Sequence, residues 1–245
     1  MEEIKTKGIV IKSTDFKDSD KLVTIFSAEL GVIHARARGV KKDKAKLAFA
    51  VQPFAFVEFV LTERSGFYTI INATSIDQFF NVTLDFDNFI FMMACLEVCE
   101  KTAKENDLNQ ELFLLLLNSL KLVCYDAVPA NLVFLKFMFE ALRILGYLLE
   151  LETCACCSGN LPQKLHAYSY DFNGMLCAKC SNVNDYLELS DGEFAILKNV
   201  NQTEISKLSN LKFLSRNDMV SVIGLVCKVF RIMTDEEIGT IKQYL

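Results

Sequence analysis

GIVIKSTDFKDSDKLVTIFSAELGVIHARARGV, residues 8–40, decides the fold. It holds three runs rich in β-branched residues, 8–16, 21–28 and 32–40, parted by the polar cluster KDSD and by the turn Glu29-Leu30-Gly31. No helical period runs through it. In the third run Ile33, Ala35 and Ala37 alternate with His34, Arg36 and Arg38. A strand turns successive side chains to opposite faces, so the small and apolar residues share one face and the cationic ones the other. Two further runs, 54–63 and 67–76, flank Arg64-Ser65-Gly66, which reads as a hairpin turn. Five short strands within residues 1–80 imply a small closed barrel, and the OB-fold is the natural candidate.

The pattern changes near residue 82. Segments 88–105, 109–126 and 129–150 suit helices, with Pro129 at a first helical position and Gly146 loosening the end of the third. Helical patterns return at 190–199, where Ser190 or Asp191 can cap, and at 217–233 and 235–244. A cysteine-rich insert interrupts them at 154–180. The expected fold class is therefore α+β. A five-stranded OB-fold barrel over 1–80 precedes an α-helical domain over 81–245, which carries an inserted four-cysteine zinc-binding loop at about 151–183. There is no internal repeat and no low-complexity linker.

Composition fits a globular chain: of 245 residues 51% are hydrophobic and 23% charged, with three prolines. No run approaches the ~18 apolar residues that a membrane helix needs. The nearest, 112–124, is broken by Asn118, Ser119 and Lys121. The opening MEEIKTKG has no apolar core of a secretory signal. Nine cysteines without such a signal point to a reducing cytosol, where clustered thiols bind metal more often than they pair. The expected location is thus cytoplasmic, and no membrane partner is expected.

Cys154-x2-Cys157 and Cys177-x2-Cys180 stand nineteen residues apart, the spacing of a four-thiolate structural zinc site. Each pair forms a tight turn offering two sulfurs to one ion. Four protein ligands leave no open position for water, so the expected role of Zn2+ is structural. The alternative is a set of reduced thiols in a loop that folds by packing alone. Cys156 and His166 stand close enough in sequence to compete as ligands, although a single loop histidine is more often solvated. Cys95, Cys99, Cys124 and Cys227 sit in apolar helical runs and read as small buried hydrophobes.

The chain carries a formal net charge of −5, yet residues 34–47, HARARGVKKDKAKL, hold six Lys or Arg against one Asp. Arg36 and Arg38 project from a strand face, and Lys41, Lys42, Lys44 and Lys46 form a cationic loop beyond Gly39. Such a group suits a phosphate backbone: arginine forks onto phosphate and lysine acts as a mobile point charge. An OB-fold binds single strands by joining a cationic groove to stacking aromatics, for which Phe16, Phe67 and Tyr68 are candidates. The plainer alternative is a solvated loop that aids solubility.

Catalytic constellations are missing. The sequence has no GxxxxGK[ST] loop, no GxSxG elbow and no HExxH pair, and its two histidines are isolated. The zinc deaminase pattern, H-x-E followed by P-C-x-x-C, is not met around His166 and Cys177. A thioredoxin-like role wants one CxxC opening a helix, which two loop pairs do not offer. The chain is therefore not expected to be an enzyme.

The order of parts resembles the bacterial RecO family of recombination and DNA-repair mediators. The matching text is GIVIKSTDFKDSDKLVTIFSAELGVIHARARGVKKDKAK, then LAFAVQPFAFVEFVL, then FMFEALRILGYLLELETCACC and GMLCAKC. It spans nearly the whole chain in the family's order, with Cys156 an added thiol inside the first CxxC. The resemblance implies an OB-fold N-terminus, a helical domain and often a zinc motif. It also implies binding to single- and double-stranded DNA, annealing of complementary strands, and work with RecR and single-strand-binding protein to load RecA, hence a place at the nucleoid. The rival expectation is a zinc-containing protein-interaction adaptor with only incidental DNA contact.

Overall fold

The computed structural model describes residues 3–104, 107–162, 164–211 and 215–244. Five strands fall where the alternation places them: β1 (Glu3–Phe16), β2 (Asp20–Ser27), β3 (Gly31–Ala37), β4 (Phe56–Arg64) and β5 (Phe67–Asp77). They close into a barrel in the order β1-β2-β3-β5-β4. All neighbours are antiparallel except β3 and β5, which run parallel from Ala35 beside Tyr68 to Ala37 beside Ile70. The five-stranded OB-fold expected from the sequence is present. Val10, Ile25, Ile33, Ala35, Phe59 and Leu61 help fill its interior. β3 stops at Ala37, so residues 38–40 turn instead of extending the strand. Gly39 takes φ +67° there, a left-handed conformation that costs a residue without Cβ little.

Two helices follow, α1 (Phe86–Thr102) and α2 (Gln110–Cys124). The side chain of Asp85 accepts the Asn88 N–H to start α1, and Asn109 accepts from Leu112 to start α2. The expected end of the first helix, at 105, lies outside the described residues. These helices pack on the barrel. Phe113 of α2 meets Phe26 and Phe56 at ring distances of 5.6 and 6.2 Å, and Phe89 of α1 meets Phe54 at 5.9 Å. The chain accordingly divides into the compact units Met1–Ala127 and Val128–Leu245. Reading by element type parts the chain at 80/81, where strands give way to helices; side-chain packing groups the first two helices with the strands.

The second unit opens with α3 (Ala130–Ile144). Pro129 is its N-cap and Ala130 its first helical residue, so the helix starts one residue later than expected. The helix ends well before residue 150 because Gly146 adopts φ +89°, and the Tyr147 N–H returns to the Leu142 carbonyl at 2.8 Å. The cysteine-rich stretch holds β6 (His166–Ser169), β7 (Gly174–Leu176), the single helical turn α4 (Ala178–Ser181) and β8 (Leu187–Leu189). These strands form an antiparallel sheet in the order β7-β6-β8. The sequence alone implies only a loop here, since runs of three or four residues carry too little alternation to register as strands.

α5 (Asp191–Gln202) starts at Ser190, whose hydroxyl accepts the Glu193 N–H while the Glu193 carboxylate accepts the Ser190 N–H. α6 (Arg216–Thr234) ends at Asp235, which sits at φ 58°. The helix expected over 235–244 is instead a short 3-10 segment, Gly239–Tyr244, because that left-handed residue breaks the helical path. α3 packs against α5 and α6, and its Lys136 is 2% exposed. The Lys136 Nζ reaches the Glu140 carboxylate at 2.7 Å and the Asn201 carbonyl at 3.0 Å. Among the described residues no helix is long and apolar enough to cross a membrane.

Candidate nucleic-acid interface and candidate metal centre

Asp20 organises the basic face of the barrel. It opens β2, is only 5% exposed, and its Oδ2 accepts from Arg36 Nε at 2.8 Å and Nη2 at 2.5 Å. Its Oδ1 accepts the Gly39 N–H at 2.8 Å. That backbone donor, followed by the Arg36 guanidinium, holds the Asp20 carboxyl down at about 2. The turn after β3 is tied to the β1–β2 turn a second time, by the Lys41 N–H donating to the Ser19 carbonyl at 3.0 Å.

The six cations singled out in the sequence divide into two groups. Arg36 is half-buried, bound to Asp20 and lying 5.3 Å from the centre of the Phe16 ring. Lys41 pairs with Asp15 at 2.6 Å, and this pairing lowers the Asp15 carboxyl. Arg38, Lys42, Lys44 and Lys46 are exposed, and among the described residues no ion pair engages them. The predicted alternation holds: Ile33, Ala35 and Ala37 are buried, His34 and Arg38 are exposed, and Arg36 lies between.

Of the aromatic candidates, Phe67 is 78% exposed at the start of β5. Tyr68 is half-buried and packs on the barrel core, and Phe16 is already covered by the Arg36 and Lys17 cations. Lys17 and Lys21 flank the same turn and stand outside the basic run of residues 34–47. Their place at either end of KDSD, opposite the cationic strand, was the available signal.

In the second unit the two CxxC pairs converge. The Sγ atoms of Cys154, Cys157, Cys177 and Cys180 all lie within 4.8 Å of one another. A tetrahedral site with ~2.3 Å metal–sulfur bonds has edges of ~3.8 Å, and Cys157 Sγ lies 3.7 Å from Cys177 Sγ. The first pair turns tightly, with the Ser158 N–H on the Cys154 carbonyl at 2.7 Å and the Cys154 N–H on the Gly159 carbonyl at 2.9 Å. Burial alone would raise the Cys154 thiol. The amides of Cys177, Cys157 and Cys156 more than reverse this and bring it down to about 6. The amide of Cys180 likewise lowers Cys177. Four convergent sulfurs, with backbone amides directed at those of Cys154, Cys157 and Cys177, are able to hold one metal ion.

The two competing ligands fall outside this group. Cys156 is exposed. His166 is neither solvated nor part of the sulfur group: it lies in β6, 9% exposed, stacked on Phe194 at 4.2 Å with Nε2 2.9 Å from Asp191 Oδ1. The strand that the sequence did not reveal explains the difference. Cys95, Cys99 and Cys124 are buried as expected, and Cys227 is half-buried.

Comparison with known proteins agrees with this arrangement. The family described as Recombination protein O N terminal matches residues 1–79, and Recombination protein O C terminal matches 83–217. The chain is 30% identical over 217 residues to the DNA repair protein RecO of Caldicellulosiruptor saccharolyticus, covering 89% of this chain and 87% of that protein. It is 30% identical over 213 residues to that of Acetivibrio thermocellus, covering 86% and 83%. The Clostridium novyi protein of the same name is 28% identical over 201 residues, covering 82% and 78%. With both halves matched in order and the barrel and sulfur cluster in place, the chain belongs to the recombination protein O (RecO) family.

Proposed function

We propose that the protein is a non-enzymatic DNA repair and recombination mediator. It binds single- and double-stranded DNA, anneals complementary strands, and works with RecR and single-strand-binding protein to help load RecA. The observation that carries this reading is the group of exposed cations Arg38, Lys42, Lys44 and Lys46 on an OB-fold barrel. Phosphate contacts by such residues supply affinity without reading sequence. Two strands brought onto one cationic surface repel each other less, which favours pairing. Arg36 and Lys41 contribute differently: Arg36 shapes the turn through Asp20, and Lys41 exchanges Asp15 for phosphate. The chain works in the cytoplasm, at the nucleoid.

The metal in the second unit is zinc, held by Cys154, Cys157, Cys177 and Cys180 in a structural role. Four thiolates are a soft, closed donor set, and closure leaves no position for substrate. The ion staples a module whose strands have three or four residues each.

The test is annealing of complementary oligonucleotides, with and without single-strand-binding protein, by the wild type and by a variant with Arg38, Lys42, Lys44 and Lys46 all changed to Ala. The mediator reading expects the wild type to accelerate annealing and the variant to lose most of that acceleration. Equal rates for the two would refute it. The adaptor reading draws support from Phe80, Leu84 and Phe86, each 65–67% exposed in the first unit. It expects no oligonucleotide binding at low or at moderate salt.

A further inference from the structure

The pairing of β4 with β5 slips at one residue. Val60 stands opposite Asn72 and Leu61 opposite Ile70, so Ile71 has no partner on β4. A bulge of this kind bends the strand and re-aims its side chains. Ile71 is left 44% exposed, an unfavourable place for a large aliphatic group. It lines an open pocket of about 270 Å³ together with Asn72, Val40, Leu47, Arg38 and Lys46.

The chemistry of that lining is specific. Val40, Leu47 and Ile71 offer aliphatic surface, and no carboxylate lines the pocket. The Asn72 Oδ1 is used by the Ala73 N–H at 2.9 Å, so its side-chain NH2 is the group left to donate. Arg38 and Lys46 supply two positive charges. A flat ring with apolar faces, a carbonyl on its edge and a phosphate on either side satisfies all of these at once.

We propose that this pocket takes one unstacked, carbonyl-bearing base of single-stranded nucleic acid. The base lies against Ile71 and Leu47, its edge carbonyl accepts from Asn72, and its flanking phosphates lie by Arg38 and Lys46. The inference rests on the DNA-binding reading above and deepens it. A base held in a duplex keeps its faces stacked and its edge paired, so the pocket serves single strands only. The four exposed cations act on either form.

The experiment compares a ten-nucleotide oligothymidylate with a ten-unit abasic deoxyribose-phosphate chain, by fluorescence anisotropy at low salt. Burying apolar surface equivalent to a single methylene is worth about fourfold in affinity. The folded wild type should therefore prefer oligothymidylate by at least that factor. Ile71→Ser and Asn72→Ala should each reduce the preference, whereas Lys44→Ala should weaken both chains and leave their ratio unchanged. Equal binding of the two chains by the wild type, or an unchanged ratio in both pocket variants, overturns the pocket while leaving cationic DNA binding intact. Binding of neither chain by the wild type overturns the DNA-binding reading, and the pocket with it.

Discussion

Asp20 Oδ2 lies 2.5 Å from Arg36 Nη2, across neighbouring strands at the centre of the basic face. The pair has two consequences. It withdraws one arginine from a surface assembled to be positive, and it fixes the turn from which Arg38 and the lysine loop depart. A carboxylate inside the face proposed to bind phosphate lowers electrostatic attraction, so its place is explained by the backbone it holds through Gly39.

That role gives a pH dependence of defined sign. The Asp20 carboxyl sits at about 2 in the folded protein, against about 3.9 for an unfolded chain. A depressed acid contributes stability above the unfolded value and loses it as pH falls from about 4 toward about 2. Asp20→Asn should therefore melt at a lower temperature than the wild type at pH 7. The gap should narrow as the pH is lowered through that window. A gap independent of pH in thermal melts would contradict the assignment.

The buried ammonium of Lys136 makes a second prediction. Its charge is balanced by Glu140, which also takes Arg143 Nε at 2.8 Å. Burial raises the Glu140 carboxyl, and the Lys136 and Arg143 partners outweigh this and leave it lowered. Glu140→Ala would strand a positive charge inside α3 and should cost about 1–3 kcal/mol. Lys136→Met keeps the aliphatic stem and removes the charge, so it should cost less. Urea unfolding of the two variants checks the order, and the reverse order would show that the lysine is held by other groups.

Removal of the metal should act locally. One zinc per chain is expected by elemental analysis. Cys157→Ser or Cys180→Ser should lose it, while Cys156→Ser and His166→Ala should retain it. Chelation should unfold the module around β6–β8 and be read as loss of amide protection there, because metal-binding energy is folding energy in such modules. Retention of metal by Cys180→Ser with loss from Cys156→Ser would reassign the ligands.

Much of this was legible in the sequence because it repeats at short range. Alternation in 33–38 fixes which side chains of β3 enter the barrel, and Ile33, Ala35 and Ala37 are buried as it requires. The paired CxxC spacing places four sulfurs together. What the sequence concealed depends on residues distant along the chain. Arg36 and Lys41 look alike in the basic run, yet their partners Asp20 and Asp15 come from the preceding turn. The grouping of α1 and α2 with the barrel depends on rings such as Phe26 and Phe113, 87 residues apart in sequence. His166 reads as a loop residue because β6 has four residues and finds both sheet partners downstream. The bulge at Ile71 leaves no mark on the alternation of β5 that a reader could separate from an ordinary exposed residue.

The most direct measurement of the central claim is the salt dependence of binding to a fluorescent single-stranded oligonucleotide. It compares the wild type with the variant carrying Ala at 38, 42, 44 and 46. Each cation that no longer neutralises a phosphate should reduce the slope of log affinity against log salt by about 0.7. The account predicts weaker binding by the variant and a slope shallower by up to about 2.8, the value for four phosphates. Superimposable isotherms for the two proteins across the salt range would contradict it.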